Sequence, residues 1–134
     1  MTPPTKKLRK VLQALMEKHG QVWLFAAARR SKSINNWDLL ISAPWAKRPD
    51  SAIVGEVDRL LKVLLAPLEN QRIGRVIIID RSHPFFDEFF RRIGGVYDQA
   101  VVHVSGPLFG DESIIEAFVL RADNPQRAPA RDTA

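Results

Sequence analysis

The sequence has no cysteine at any of its 134 positions. This absence excludes disulfides, thiolate catalysis and cysteine-ligated zinc sites. No apolar run approaches the roughly 20 residues that a membrane-spanning helix needs, and the segment from Met1 to Lys7 lacks the apolar core of a secretory signal. Glycine-rich dinucleotide and Walker loops are missing as well. These absences predict a cytoplasmic protein that does not contact a membrane.

The residues that are present predict one globular domain. Hydrophobic residues make up 46% of the chain and charged residues 26%, which is the usual balance for a folded domain. From residue 122 onward the chain has little apolar content, so we expect a domain over 1–121 and a disordered tail over 122–134. The net charge is +5, but residues 1–50 hold ten basic and three acidic residues, which gives +7. This asymmetry indicates either a phosphate-bearing or acidic partner or a solvated basic surface.

Hydrophobic periodicity predicts an α/β fold, which is a mixed sheet of four or five strands with helices packed on it. Residues 113–122 fit either a helix or a buried strand, and the turn residues before them favour the strand. The expected helices run from Thr5 to Gly20, from Ser51 to Pro67 and from Pro84 to Gly94. The expected strands are Gln21–Ala28, Trp37–Ala43, Arg75–Ile79, Ala100–Ser105 and residues 113–122, with a loop over Arg29–Asn36.

Two stretches carry a family resemblance. An apolar run followed by two arginines occupies Val22–Ser31, and Ile34–Ile41 reads Ile-Asn-Asn-Trp-Asp-Leu-Leu-Ile. This order resembles the minimal type of the DNA polymerase beta-like nucleotidyltransferases, in which a Phe-Gly-Ser strand end precedes an Asp-x-Asp strand. The family takes a third acidic residue from a later strand, for which Arg75–Asp80 is the candidate. The resemblance covers roughly residues 5–105 and implies a nucleotidyltransferase-like sheet of the bacterial and archaeal kind.

Nucleotidyl transfer needs carboxylates, because two divalent cations must be held against the attacking and leaving oxygens. The resemblance therefore assigns the catalytic and metal-binding roles to Asp38 and Asp80, with Mg²⁺ as the cofactor of an active enzyme. It assigns nucleotide and phosphate binding to the first strand end and the loop after it. Those positions are Ala26, Ala27, Arg29, Arg30, Lys32 and Asn36.

The chain departs from the family pattern at two places. Ala26-Ala27 stands where Gly-Ser is expected, and Asn36 stands where the first aspartate is expected. A Cβ crowds the approach of a triphosphate to the backbone, and an amide supplies no charge to a metal. The resemblance therefore implies a degenerate domain, either non-catalytic or weakly active. The residues themselves leave open that Asp38 pairs with Arg29 or Arg30 and that Asp80 is a turn residue.

The tryptophans suggest a second kind of function. Trp23 and Trp37 are expected in the core, whereas Trp45 is expected to be exposed beside Lys47 and Arg48. An exposed indole next to two cations is typical of a base-stacking platform or a protein interface. Three functions thus remain open. They are a domain that binds a nucleotide or nucleic acid without chemistry, an interaction module that forms a homodimer or a toxin–antitoxin-like pair, and an active transferase with an altered site.

Overall fold

The structure, a computed structural model, describes residues 2–31, 36–47, 51–84, 86–107 and 113–124. These residues form four helices and five strands in a single α/β arrangement. In chain order the elements are α1 (Thr5–His19), β1 (Leu24–Arg30), β2 (Trp37–Ser42), α2 (Ser51–Leu64), α3 (Pro67–Gln71), β3 (Ile73–Ile78), α4 (Phe86–Ile93), β4 (Val102–Ser105) and β5 (Ile114–Ala122).

The five strands form one mixed sheet in the order β3-β2-β1-β5-β4. β2 and β3 are parallel, whereas β1 is antiparallel to both β2 and β5, and β5 is antiparallel to β4. The α2–α3 segment is the crossover that a parallel pair requires. The expected fold class, a mixed sheet with helices packed on it, is therefore confirmed. The lean towards a strand over 113–122 is also confirmed, because β5 pairs with two neighbours.

Helices cover both faces of the sheet, which explains the unbroken apolar run in β1. On one face, α1 and α2 bury Leu12 and Val57 against Phe25 and Trp37 of the strands. On the opposite face, the phenylalanines of α4 pack against the alternate strand residues, among them Leu40. Each fully buried large apolar side chain contributes about 1.5–3 kcal/mol.

The strand bounds differ from the sequence expectation at the carboxyl end of β1. Arg29 and Arg30 were expected in a loop, but they continue the strand, because they pair with Glu116 and Ile114 of β5. Polar side chains tolerate this position since both arginines find carboxylates there. Lys32, in the rest of the expected loop, lies outside the described residues.

The carboxyl-terminal bound also differs. Ala122 and Asp123 were expected in the disordered tail, yet Ala122 pairs with Leu24 and Val96, and Asp123 is buried. The backbone N–H of Asp123 donates to the carbonyl of Trp23 at 2.8 Å, which ties this segment to the start of β1. The expectation for residues 125–134 lies outside the described residues.

One helix was not expected. Pro67 was expected to end the second helix, and α2 does end just before it, but Pro67 also opens the short helix α3. Proline suits the first position of a helix because its missing N–H has no partner to lose there. Glu69 completes this turn, since its carboxylate accepts a hydrogen bond from the backbone N–H of Ala66 at 2.9 Å.

Candidate functional site

The parallel pair β2–β3 separates the two aspartates that the sequence suggested as partners. Leu39 aligns with Val76 and Ile41 with Ile78. Asp38 therefore lies where both strands begin, whereas Asp80 lies beyond the point where they end. About five residues of strand separate the two levels, roughly 15 Å. Asp38 and Asp80 are thus not brought together, and they do not form one metal site.

Asp38 is held by arginines from both neighbouring strands. The Nε of Arg30 donates to Oδ2 of Asp38 at 2.9 Å, and a guanidinium nitrogen of Arg75 lies 3.3 Å from the same oxygen. Gly74 leaves room for the carboxylate, because a Cβ there would lie 3.2 Å from Oδ1. The side chain of Asp38 is only 12% exposed. Of the alternatives open from sequence, the structure therefore places Asp38 in an ion pair with Arg30.

Arg29 belongs to a separate cluster, because alternate strand residues point to opposite faces. Its guanidinium donates to Glu116 of β5, and His103 of β4 lies 2.8 Å from the other oxygen of that carboxylate. The His103 ring stacks on Phe118, with centroids 4.4 Å apart. Burial raises the pKa of Glu116, but hydrogen bonds and charge from Arg29 and His103 outweigh it and lower the pKa below its ordinary value.

Ala26 and Ala27 do not form the expected phosphate turn. They lie in the middle of β1, paired with Leu40 and Leu39 of β2, and are buried. Strands on both sides satisfy the β1 ladder, which leaves its backbone closed to a triphosphate. Ala26 and Ala27, which stand where the family has Gly-Ser, therefore form no binding turn for phosphate. Asn36 is exposed and directly precedes β2.

We call the region around the start of β2 and β3 the basic end of the sheet, defined by Arg29, Arg30, Asp38, Arg75 and Glu116. Arg30 and Arg75 flank Asp38 on one face of this end, and Arg29 pairs with Glu116 on the other, so the set of three guanidiniums and two carboxylates is net positive. Each carboxylate is occupied by a cation, which is the opposite of what a Mg²⁺ site offers. Among the described residues, no three acidic or histidine side chains are grouped as metal ligands. The arrangement favours an anion over a cation.

Arg75 is the residue that sequence reasoning missed. It had been noted only as the flank of an apolar strand, yet 64% of its side chain is exposed at the basic end. The parallel crossover between β2 and β3 was the available signal, because it predicts that the starts of the two strands meet at one end of the sheet.

Trp45 is not the exposed platform that was expected. Its ring stacks on His19 with centroids 4.5 Å apart, and its Nε1 donates to the carbonyl of Gln21 at 2.6 Å. These contacts fix the turn after β2 against the end of α1. One ring face is therefore covered by the protein itself. Arg48, its expected neighbour, lies outside the described residues.

Lys47 and Asp80 lie at the other end of the sheet. They line an open cleft of about 320 Å³ at the point where β2 and β3 end. Its described walls are Trp23, Ala43, Pro44, Ala46, Lys47, Asp80, Arg81 and Ser82. We call this region the cleft end. The residues named from the sequence therefore lie at two separate ends of the sheet, with Asp38 and Arg30 at the start of the strands and Lys47 and Asp80 beside the cleft.

None of the described helices combines the length and apolarity needed to cross a membrane. The fold, the basic end and the cleft end are therefore the features from which a function can be argued. No family model, curated protein or solved structure matches this chain.

Proposed function

We propose that the protein is a non-catalytic, nucleotidyltransferase-like domain that binds the phosphates of a nucleotide or nucleic acid at its basic end. The observation that carries the proposal is the pairing of Asp38 with Arg30 and Arg75. The resemblance assigns Asp38 to catalysis, but here its carboxylate lies between two arginines and forms part of a net positive surface.

The proposal assigns no metal-dependent transfer to this end of the sheet. Two-metal transfer needs several carboxylates around the reacting phosphate. Here the group that faces Asp38 from β3 is the guanidinium of Arg75, and Asn36 replaces an acid before β2. A cation entering beside Asp38 would displace both arginines and would meet their charge at close range. The same charge attracts phosphate without any metal.

The two arginines have different parts in the proposed binding. Arg30 is 26% exposed and is fixed by Asp38 and by the hydroxyl of Ser113, to which it donates at 2.7 Å. Arg75 is mostly exposed and is held by one long contact, so it can turn its guanidinium to a phosphate at little cost. Arg30 therefore shapes the surface, and Arg75 makes the direct contact.

The test is fluorescence anisotropy with a short labelled single-stranded RNA at about 50 mM salt, where phosphate-driven affinity is high. We expect binding that weakens steeply with salt, and Arg75→Ala to weaken it about tenfold and to flatten the salt dependence. Arg59→Ala is the matched control, since Arg59 is an exposed arginine on α2, away from the basic end. Absence of RNA and ATP binding at low salt, or equal effects of the two variants, would contradict the proposal.

A second candidate function is a protein-interaction module, and one surface favours it. β3 is an edge strand of the sheet, and α2 and α3 both pack against it. Val63 and Leu68 on these helices are 79% and 73% exposed. An unpaired strand edge beside exposed apolar side chains is suited to pairing with another chain.

This candidate is tested by size-exclusion chromatography with light scattering. A dimer that Leu68→Glu converts to a monomer would support the edge of β3 as an interface. Glu88→Gln, on the exposed side of α4, is the control and should leave the oligomeric state unchanged. A monomer at all concentrations would remove the homodimer from consideration.

A further inference from the structure

We infer that the cleft at the ends of β2 and β3 is a second binding site, for a small planar aromatic molecule that carries one acidic group. This inference is independent of the function proposed for the basic end. It rests on a cavity, an indole and two cations that the basic end does not use.

The position of the cleft is the first argument. Loops that leave the carboxyl ends of neighbouring parallel strands diverge, and the crevice between them is where open α/β sheets hold ligands. β2 and β3 are the parallel pair of this sheet, and the cleft lies between the turn after β2 and the turn after β3. Both turns are fixed. Ala43 bridges to Ala46 in the first, and the N–H of His83 donates to the carbonyl of Asp80 at 3.0 Å in the second.

Trp23 supplies the apolar wall. Its backbone is held on both sides, since its N–H donates to the carbonyl of Ser42 at 2.8 Å and its own carbonyl accepts from Asp123. The side chain is half-buried and also contacts the core on the α4 face. An indole fixed in this way and open to a cavity is suited to stacking on a planar ring, and Pro44, Ala43 and Ala46 extend the apolar surface.

The charges of the cleft define the acidic group. Lys47 and Arg81 line it from opposite turns, and Asp80 lies between an apolar strand end and Arg81. In the described part of the chain, the side chains of these three residues form no ion pair or hydrogen bond with protein. The cations thus remain available for a carboxylate or phosphate. Asp80 remains available to accept a hydrogen bond from a ring N–H or an amine.

The volume limits the size of the ligand. A cavity of about 320 Å³ is at the small end of the range for small-molecule sites. It accommodates one ring system with a single acidic substituent, and it is too small for a folded peptide or several nucleotides. The inferred ligand class is therefore a mononucleotide-sized aromatic anion.

The experiment is calorimetric titration of the full chain with AMP, UMP and indole-3-acetate, with adenosine and ribose 5-phosphate as truncated probes. We expect at least one of the three aromatic anions to bind, and the probe that lacks the ring or the charge to bind about tenfold or more weakly. Failure of all three aromatic anions, or equal binding of a truncated probe, would overturn the inference.

Variants locate the site. Arg81→Glu and Trp23→Leu should each lower the affinity for the anion about tenfold or more, whereas Arg59→Ala, at an exposed position of α2, should leave it unchanged. Arg81 is exposed, so its variant keeps the inference testable even if Trp23→Leu does not fold. Loss of binding in Arg75→Ala, with Arg81→Glu unaffected, would place the ligand at the basic end and overturn the inference. If the protein did not bind RNA at its basic end but still bound the aromatic anion in the cleft, the inference would stand.

Discussion

The two ends of the parallel pair β2–β3 treat charge in opposite ways. At the basic end, Asp38 lies between Arg30 and Arg75 and is mostly buried. At the cleft end, Asp80 and Arg81 are neighbours in sequence, yet neither side chain pairs with another group of the described chain. At the basic end the carboxylate of Asp38 holds two guanidinium groups in place, whereas at the cleft end the charged side chains line a cavity.

This difference teaches that the role of an aspartate is set by the strands beside it. Asp38 and Asp80 look alike in sequence, since each flanks a run of large apolar residues. In the fold, β1 and β3 bring a guanidinium to Asp38 from each side. Asp80 lies beyond the last aligned pair of β2 and β3, which is Ile41 with Ile78. The same residue type therefore neutralises charge at one end and lines a cleft at the other.

The largest expected effect comes from the tryptophans that flank β2 at its two ends. Trp37 is fully buried and packs edge-on against Phe118, so Trp37→Ala should lower the free energy of unfolding by about 3–5 kcal/mol. Trp45→Ala, which loses one hydrogen bond and a stack on His19, should cost about 1–2 kcal/mol. Urea denaturation measures both.

A matched variant sharpens this comparison. The Nε1 of Trp37 is buried and has no hydrogen-bond partner among the described residues, so Trp37→Phe should cost clearly less than Trp37→Ala. If Trp45→Ala were as damaging as Trp37→Ala, the assignment of core to one indole and surface contact to the other would be wrong.

An intermediate effect is expected from Asp38→Asn. Removing the charge leaves Arg30 and Arg75 facing each other, which should cost about 1–2 kcal/mol of stability. The same change raises the net positive charge of the basic end, so affinity for RNA should increase about threefold or more at low salt. Asp80→Asn is the control and should leave RNA affinity unchanged. Weaker RNA binding by Asp38→Asn would show that Asp38 itself contacts the ligand or its cation.

The smallest expected effect concerns pH and Glu116. Arg29 and His103 lower the pKa of Glu116 in the folded protein against the effect of burial. The ionised carboxylate therefore stabilises the fold above about pH 4.5, and this stabilisation is lost as the pH falls further. The free energy of unfolding should therefore fall less between about pH 5 and pH 3 in Glu116→Gln than in the unaltered protein, with a difference of less than about 1 kcal/mol. Acid unfolding followed by circular dichroism tests this.

The control for this last comparison is Glu88→Gln, because Glu88 is exposed on α4 and has no ion pair among the described contacts. It should leave the acid limb of the stability curve unchanged. Equal effects of the two glutamates would mean that the Arg29–Glu116–His103 cluster adds nothing in solution.

The fold was largely predictable from sequence because its signals are local. The amphipathic pattern of α1, the β-branched run of β3 and the phenylalanines of α4 each report which face of an element is buried. The extension of β1 to Arg30 was not predictable in this way. It depends on pairing with β5, more than eighty residues away in the chain, and polar residues at a strand end resemble a loop.

The site was predictable in part. The ion pair of Asp38 with Arg30 was one of the alternatives open from sequence, because the two residues are only eight positions apart in the chain. The contribution of Arg75 and the separation of Asp80 follow from the parallel register of β2 and β3. That register is a property of the assembled sheet. A motif read along one strand gives residue types and spacing, and it does not give what the next strand places beside them.

The most direct test of the central claim is the metal dependence of ATP binding, measured by calorimetry with excess Mg²⁺ and again with a chelator. If the basic end binds phosphate through Arg30 and Arg75, affinity should be equal or higher without Mg²⁺, and Asp38→Asn should bind at least as tightly as the unaltered protein. Binding that requires Mg²⁺ and disappears in Asp38→Asn would contradict the account and would restore Asp38 as a metal ligand.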